Sequence, residues 1–438
     1  MPAEPLCRIA KPGASGGAAI DAGMTGKDGE PLLTVAVLGQ EMNRQNMVPP
    51  SVAQTPALSW ISRLVAFDTV SRNSNLALIE SVRDDLSRQG FVIDLTYDAG
   101  GGKANLFATL PAADGRTTGG LVLSGHSDVV PVDGQDWSSD PFVAEVRNER
   151  VYGRGSADMK GFIGTALSLV PQMTEAPLKA PIHFALSFDE ELACAGAPLM
   201  IESLRARGIR PEGVIVGEPT GMKVVTAHKG AGCWRCRVEG RAAHASLPDE
   251  GVSAITYAAR LIGFINDMAA RWRAEGPFDQ AFDTPFSTAQ IGVINGGTAS
   301  NLIPQACEFI FEHRTLPGVD ADAVIVRLRA FADELQTEMR RAAPEAAIHF
   351  DRLAGFPALQ PDENASVVRM VRRLTGDDEV HKVAFGAEAG LFQAAGAPSL
   401  LCGPGHIAQA HKPDEYVSLD QLAACGQFLS RLIEEMRQ

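Results

Sequence analysis

The chain lacks an excess of positive charge. Its 39 lysines and arginines face 53 aspartates and glutamates, for a formal net charge of −14. Affinity for nucleic acid rests on Lys and Arg neutralising phosphates, and no basic cluster offsets the acidity here, so a nucleic-acid partner is not expected. Also missing is any apolar run near the ~20 residues that a membrane-spanning helix needs. Residues 1–50 hold no signal-peptide core, because Lys11, Lys27 and many glycines interrupt every apolar stretch. A cytoplasmic location with no membrane partner is the expectation. Cysteine is sparse and scattered: Cys7, Cys194, Cys233, Cys236, Cys307, Cys402 and Cys425. An odd count in a large chain fits reduced thiols rather than a disulfide framework.

What is present is an ordinary globular composition, 45% hydrophobic and 21% charged. At 438 residues the chain exceeds one ordinary core, so two domains are expected. Residues 1–50 are rich in Gly, Ala and Pro, show no periodicity and are expected to be a disordered extension, with Met47 a candidate alternative start. Ordered pattern begins at Leu58. Leu58, Ile61, Leu64 and Val65 mark one helical face, and Leu78, Val82 and Leu86 mark another. Short apolar runs over 91–97, 105–110, 121–123, 182–188 and 213–216 read as strands that alternate with helical segments. A different unit starts near residue 226 and ends near 356. Its strands over 233–238, 286–294, 307–313 and 347–353 and its helices over 252–268 and 323–339 give the order βαββαβ. That order suits a small ferredoxin-like sheet with two helices on one face, inserted into a larger α/β domain made of residues 55–225 and 357–438.

The chemistry gathers at strand ends. Ser124-Gly125-His126-Ser127-Asp128 follows one apolar run, Asp189-Glu190-Glu191 another, and Gly217-Glu218-Pro219 a third. Gly153-Arg154-Gly155-Ser156-Ala157-Asp158-Met159-Lys160-Gly161 precedes a helix, and Ala410-His411-Lys412-Pro413 lies near the C-terminus. Open α/β sheets place ligands along the edge where strands end. Singly, each motif has an ordinary reading: a surface His-Asp turn, a helix N-cap at Asp158, a solvated acidic turn, an exposed loop histidine. Jointly they set oxygen and imidazole donors on one edge of one sheet, which points to two divalent ions. Hydrolysis at such a site needs a carboxylate shared by ions ~3.5–4 Å apart, open positions for water, and a further carboxylate off the metal to move protons. Adjacent Glu190 and Glu191 point to opposite sides of an extended chain, so one can ligate while the other faces water. Asp128, two residues after His126, is placed to accept the other imidazole N–H.

These motifs resemble the M20 family of metallopeptidases and amidohydrolases over roughly residues 55–438, and within it the acetylornithine deacetylase branch. Gly125–Pro131, Gly153–Gly161 and Phe188-Asp189-Glu190-Glu191 carry the likeness, together with the run from Gln409 to Val417. The resemblance implies a catalytic zinc-peptidase-like α/β domain with the inserted unit as a lid, through which many members form homodimers. It implies two metal ions, zinc or cobalt, with Asp158 bridging. His126 and Glu218 would complete one site, Glu191 and His411 the other. Glu190 would be the catalytic base, with Asp128 supporting His126. His244, in Ala243-His244-Ala245-Ser246, would stabilise an oxyanion, acting across a dimer. Asn301, Arg314, Glu388 and Gly403 would contact the substrate, Arg314 through a carboxylate. Ala387 stands where relatives usually carry Thr. The implied reaction removes the N-acetyl group of N2-acetylornithine, giving ornithine and acetate for arginine synthesis. The alternatives are a desuccinylase, a general N-acyl amino acid deacylase or a dipeptidase; a catalytically inactive metal-stabilised binding protein is a further one.

Two other motifs read as structural. Cys233-Trp-Arg-Cys236 lies on a strand, where residues an odd number apart face opposite ways. Gly100-Gly-Gly-Lys103 lacks the Ser or Thr of a phosphate loop and reads as a hairpin turn.

Overall fold

The computed structural model describes Thr55–Arg437. The expected disorder of residues 1–50 lies outside the described residues. A mixed eight-stranded sheet runs in spatial order Val92–Tyr97, Ala104–Leu110, Ile182–Ser187, Leu121–His126, Gly213–Val216, Ser399–Leu401, Val225–His228 and His381–Val383. The four strands from Ile182–Ser187 to Ser399–Leu401 are mutually parallel. Every residue of Leu121–His126, Ile182–Ser187 and Gly213–Val216 is buried. Helices cover both faces of a parallel sheet, which is why these strands read as continuous apolar runs rather than alternating ones. Among the covering helices, Pro56–Val65 is capped by Thr55 and buries Leu58, Ile61, Leu64 and Val65, the face read from sequence. The hairpin turn at Gly100–Lys103 joins the antiparallel pair at the sheet's edge.

The chain leaves this sheet after His228 and enters a second one at Gly230. That four-stranded antiparallel sheet is ordered Thr288–Gly296, Ala306–Thr315, Gly230–Glu239, Ala347–Phe356. Helices Ala254–Glu275 and Ala321–Arg340 pack on one face. Leu261, Ile265, Leu328 and Leu335 from the helices meet Cys236, Val238, Phe309 and Phe311 from the strands in a core of their own. The architecture is therefore α/β with an inserted βαββαβ lid. Cys236 is buried and Cys233 only partly so, as an alternating strand requires, and the six cysteines among the described residues are free. No described helix is long and apolar enough to cross a membrane.

A third, three-stranded sheet is small. Tyr416–Ser418 pairs with Arg150–Tyr152, which pairs with Glu145–Arg147. The first of these strands follows the His411 loop, and the second leads into the Asp158 loop.

Candidate active site

The four parallel strands end on one edge, and the site is built there. His126 is the last residue of its strand, Glu190 and Glu191 lie just past Ser187, and Glu218 lies just past Val216. Asp158 arrives from the loop before the helix Lys160–Ser168. It does not cap that helix, since Met159 occupies the N-cap position. His411 returns from beyond the lid in a left-handed backbone conformation, φ 63°.

These residues form two donor sets that share one aspartate. Ligand atoms of His126, Asp158 and Glu218 lie within 4.8 Å of one another, and so do those of Asp158, Glu191 and His411. Oδ1 of Asp158 is 2.9 Å from Nε2 of His126, and Oδ2 is 3.3 Å from Nε2 of His411. Nε2 of His411 is also 3.1 Å from Glu191. Glu190 belongs to neither set. The residue is half-buried, and its carboxylate accepts from the thiol of Cys194 at 3.3 Å.

The electrostatics call for cations. Asp158, Glu190, Glu191 and Glu218 crowd around the imidazoles of His126 and His411, with His411 on the solvent side. Burial, with repulsion from Glu191 and Asp158 added, pushes Glu190 up to about 8. Burial and the charges of Asp158 and Glu190 hold Glu218 well above the usual carboxylate range. Hydrogen bonds that His411 donates to Asp158 and Glu191 push its imidazole up to about 10. Burial works to lower His126, yet its bond to Asp158 holds it well above the ordinary imidazole value. Oε1 of Glu218 is buried with no hydrogen-bond partner. An orphaned carboxylate oxygen beside crowded acids is a costly arrangement without a positive ion, so the donor chemistry fits two divalent metals of the kind that bind imidazole and carboxylate.

Several expected roles change on inspection. Nδ1 of His126 donates to the backbone carbonyl of Asp128 at 2.8 Å, while the Asp128 carboxylate is 3.7 Å away. That carboxylate instead accepts from Ser71 Oγ at 2.7 Å and from the backbone N–H groups of Glu190 and Glu191 at 3.0 and 3.3 Å. Asp128 thus fixes the imidazole through its backbone, and its side chain holds the turn that carries Glu190. Lys103 pairs with Asp189 on the same turn.

Glu388 is not open to a substrate. It is fully buried, and its two oxygens accept from Ser124 at 2.6 Å and Ser187 at 2.7 Å, on the strands that lead to His126 and Glu190. Gly403 also acts from beneath. A Cβ there would lie 2.1 Å from the Gly217 carbonyl oxygen and 2.6 Å from that of Glu218, so glycine permits the close approach that seats the Glu218 turn.

The lid residues stand apart from the donor sets. His244 is exposed and bonds Ser246 Oγ through Nδ1 at 2.7 Å. Its two-residue strand pairs with Leu302–Ile303, and Asn301 is exposed beside it, its carbonyl accepting from Ala245. Within one chain no hydrogen bond or ion pair among the described residues joins His244 or Asn301 to the donor sets. Arg314 is half-buried and lines a cavity of about 380 Å³ with Lys229, Thr284, Thr288, Ala384 and Phe385. Glu312 accepts from its Nε at 2.8 Å, and no hydrogen bond among the described residues engages its two Nη groups.

Paired donor sets at the edge of an α/β sheet, with a carboxylate left over, define a metal-dependent hydrolase. The model of peptidase family M20/M25/M40 matches residues 122–435. The chain is 36% identical to an acetylornithine deacetylase of Myxococcus xanthus, over 86% of this chain and 97% of the relative. It is 33% identical to an acetylornithine deacetylase of Pasteurella multocida, over 86% and 97%. The protein belongs to this M20 family and is a hydrolase. Among solved structures, an aminopeptidase of Bacillus cereus superposes with a TM-score of 0.66 at 20% identity, covering 87% of this chain and 98% of that one. A dinuclear metal-binding M20 peptidase of Bacillus subtilis superposes with a TM-score of 0.59 at 15% identity, covering 87% and 97%. Both likenesses concern the fold.

Proposed function

We propose that the protein is an N-acyl amino acid amidohydrolase whose substrate is N2-acetylornithine, cleaved to ornithine and acetate in the supply of arginine. The observation that carries the hydrolytic reading is the pair of donor sets sharing Asp158, with the half-buried Glu190 beside them and in neither. The substrate is favoured by the acetylornithine deacetylases that the chain matches at 36% and 33% identity over nearly their whole length. In this reading His126, Asp158 and Glu218 hold one divalent ion, and Asp158, Glu191 and His411 the other, zinc or cobalt by donor type. Such ions supply Lewis-acid polarisation of the acyl carbonyl and acidify water.

Glu190 accepts a proton from the attacking water as its oxygen bonds the acyl carbon. It returns that proton to the amine as the C–N bond breaks, so atoms balance to one carboxylic acid and one amine. Asp128 keeps Glu190 in place by accepting from the backbone N–H groups of Glu190 and Glu191. Residues 226–356 act as a lid on the domain formed by 55–225 and 357–438. Arg314 offers its guanidinium fork to the substrate α-carboxylate.

His244 and Asn301 reach a site by pairing of two copies through the lid. Thr288–Gly296 is an edge strand of the small sheet, and Val293 and Ile294 on it are 45% and 54% exposed. An exposed apolar edge strand is a template for a second chain.

A panel of N-acetylornithine, N-acetylcitrulline, N-succinyl-diaminopimelate, other N-acetyl amino acids and dipeptides tests the assignment. N-acetylornithine is expected to give the highest kcat/KM. A higher value for a succinyl substrate or a dipeptide moves the protein to another activity of the family. No turnover of any member by protein carrying two ions overturns the enzymatic reading.

A further inference from the structure

The Asp158 and His411 loops are far apart in sequence, yet a buried set of side chains ties them together. Arg154 and Glu415 are each 1% exposed, and Nη1 of Arg154 donates to Oε2 of Glu415 at 2.6 Å. Oε1 of Glu415 accepts from the backbone N–H groups of Ala157 and Asp158 at 2.9 and 3.1 Å. The backbone carbonyl of Glu415 accepts from Gly153 N at 3.0 Å. From the other side, Nη1 of Arg154 also reaches the Lys412 carbonyl at 3.3 Å, and Nη2 donates to Oε1 of Gln135 at 2.6 Å. Nε2 of Gln135 donates to the His411 carbonyl at 3.1 Å. The Trp137 ring lies 5.0 Å beneath the guanidinium and donates its N–H to Gln135. Tyr416 pairs with Tyr152, so the strand leaving one loop is locked to the strand entering the other.

We propose that Arg154, Glu415 and Gln135 are positioning residues that set the spacing of Asp158 and His411 and thereby the affinity for the divalent ion held between them. The proposal rests on the two-ion reading above. A carboxylate gripping the backbone N–H of a shared ligand fixes where that ligand's oxygens point. A guanidinium fork is the group able to hold that carboxylate, a carbonyl and an amide in one plane. Gln135 extends the hold to the residue whose left-handed backbone presents the second imidazole. Outer groups of this kind orient ligands and tune metal affinity.

The test titrates metal-free full-length protein with Zn²⁺ against a competing chelator, with the thermal transition recorded as a check on folding. Wild type is expected to take two ions, and His411→Ala identifies the one that His411 helps to hold. Glu415→Gln keeps an acceptor for the amides but turns an NH₂ towards Arg154, and is expected to weaken zinc binding about 10–100-fold. Gln135→Ala, at the half-buried rim, is expected to weaken the His411 ion while sparing the other. Arg154→Lys is expected to recover only part of the wild-type affinity. If wild type takes no zinc, the two-ion reading itself fails. If wild type takes two ions and the folded variants bind both with unchanged affinity, the positioning role alone is overturned. A uniform loss at both ions in Gln135→Ala, in step with a lower thermal transition, also overturns it. Should Glu415→Gln not fold, Gln135→Ala and Arg154→Lys decide.

Discussion

At the edge of the large sheet, the candidate residues are held by the chain's own atoms, and all but His411 are buried or half-buried. On the inserted lid, two of the three stand in the open. Asp158 has a partner on each oxygen, Asp128 accepts three hydrogen bonds, and Glu190 is half-buried beside Cys194. His244 and Asn301 are exposed, and Arg314 points an unengaged fork into a cavity. The large domain presents a preassembled set of candidate donors. The lid presents polar groups that the donor sets do not engage. General hydrolytic power would then reside in the first region and selectivity in the second.

The sharpest way to break that division is at Glu190. Glu190→Gln keeps the shape and removes the proton acceptor, so kcat should fall by about 10²–10⁴ while metal content stays that of wild type. Near-normal turnover would place the proton transfer elsewhere and dissolve the contrast. A loss of bound metal would make Glu190 a ligand rather than a base.

The lid's share is tested at His244. His244→Ala should reduce kcat by about 10²–10³, the usual effect of losing one oxyanion donor, with metal content again unchanged. If the imidazole serves the partner's site, mixing this variant with Glu190→Gln should restore activity. A mixed two-fold dimer carries one intact site, and random exchange makes half the dimers mixed, so recovery should approach roughly a quarter of wild type. Failure to recover, with subunit exchange verified by mass, would mean that His244 acts within its own chain after a lid movement or does not act at all.

The two regions also differ in how far sequence reached them. Three of the candidate donors, His126, Glu191 and Glu218, were legible because each follows an apolar run that reads as a buried strand, whereas Asp158 and His411 sit on loops and were picked out by the motifs around them. The lid was legible as a pattern, since long helices and ten-residue strands give periodicity room to show. Strands of three or four residues, such as Val225–His228 and Ser399–Leu401, give it none. The roles of supporting residues were less accessible. Nothing in Gly403 or Glu388 distinguishes a pocket wall from a strut beneath the site, because the difference lies in which strands pass next to them. The same holds for Asp128, whose spacing from His126 fits a side-chain contact that the backbone carbonyl in fact makes. Arg154 and Glu415 lay inside the most specific motifs, but their meeting depends on a small sheet joining residues far apart in the chain.

Arg314 is where the two regions meet, and it carries the smallest of these expected effects. Its Nε is held by Glu312 on the same strand, which sets the plane of the guanidinium. The opening that it lines is bordered by Ala384 and Phe385, which follow the lid in sequence, and by Lys229, Thr284 and Thr288. A carboxylate entering there would take two parallel N–H bonds from the fork. Lysine keeps the charge but offers a point donor in place of the fork and releases Glu312. One lost charge-assisted hydrogen bond is worth about 1.5 kcal/mol, near the low end of its range. Arg314→Lys should therefore raise KM about tenfold for N-acetyl amino acids, with kcat little changed. The same substrates capped as carboxamides should show almost no difference between wild type and variant, because the interaction being removed is with the carboxylate. An equal rise in KM for both would mean that Arg314 shapes the lid rather than reading the substrate, and selectivity would have to be sought elsewhere on it.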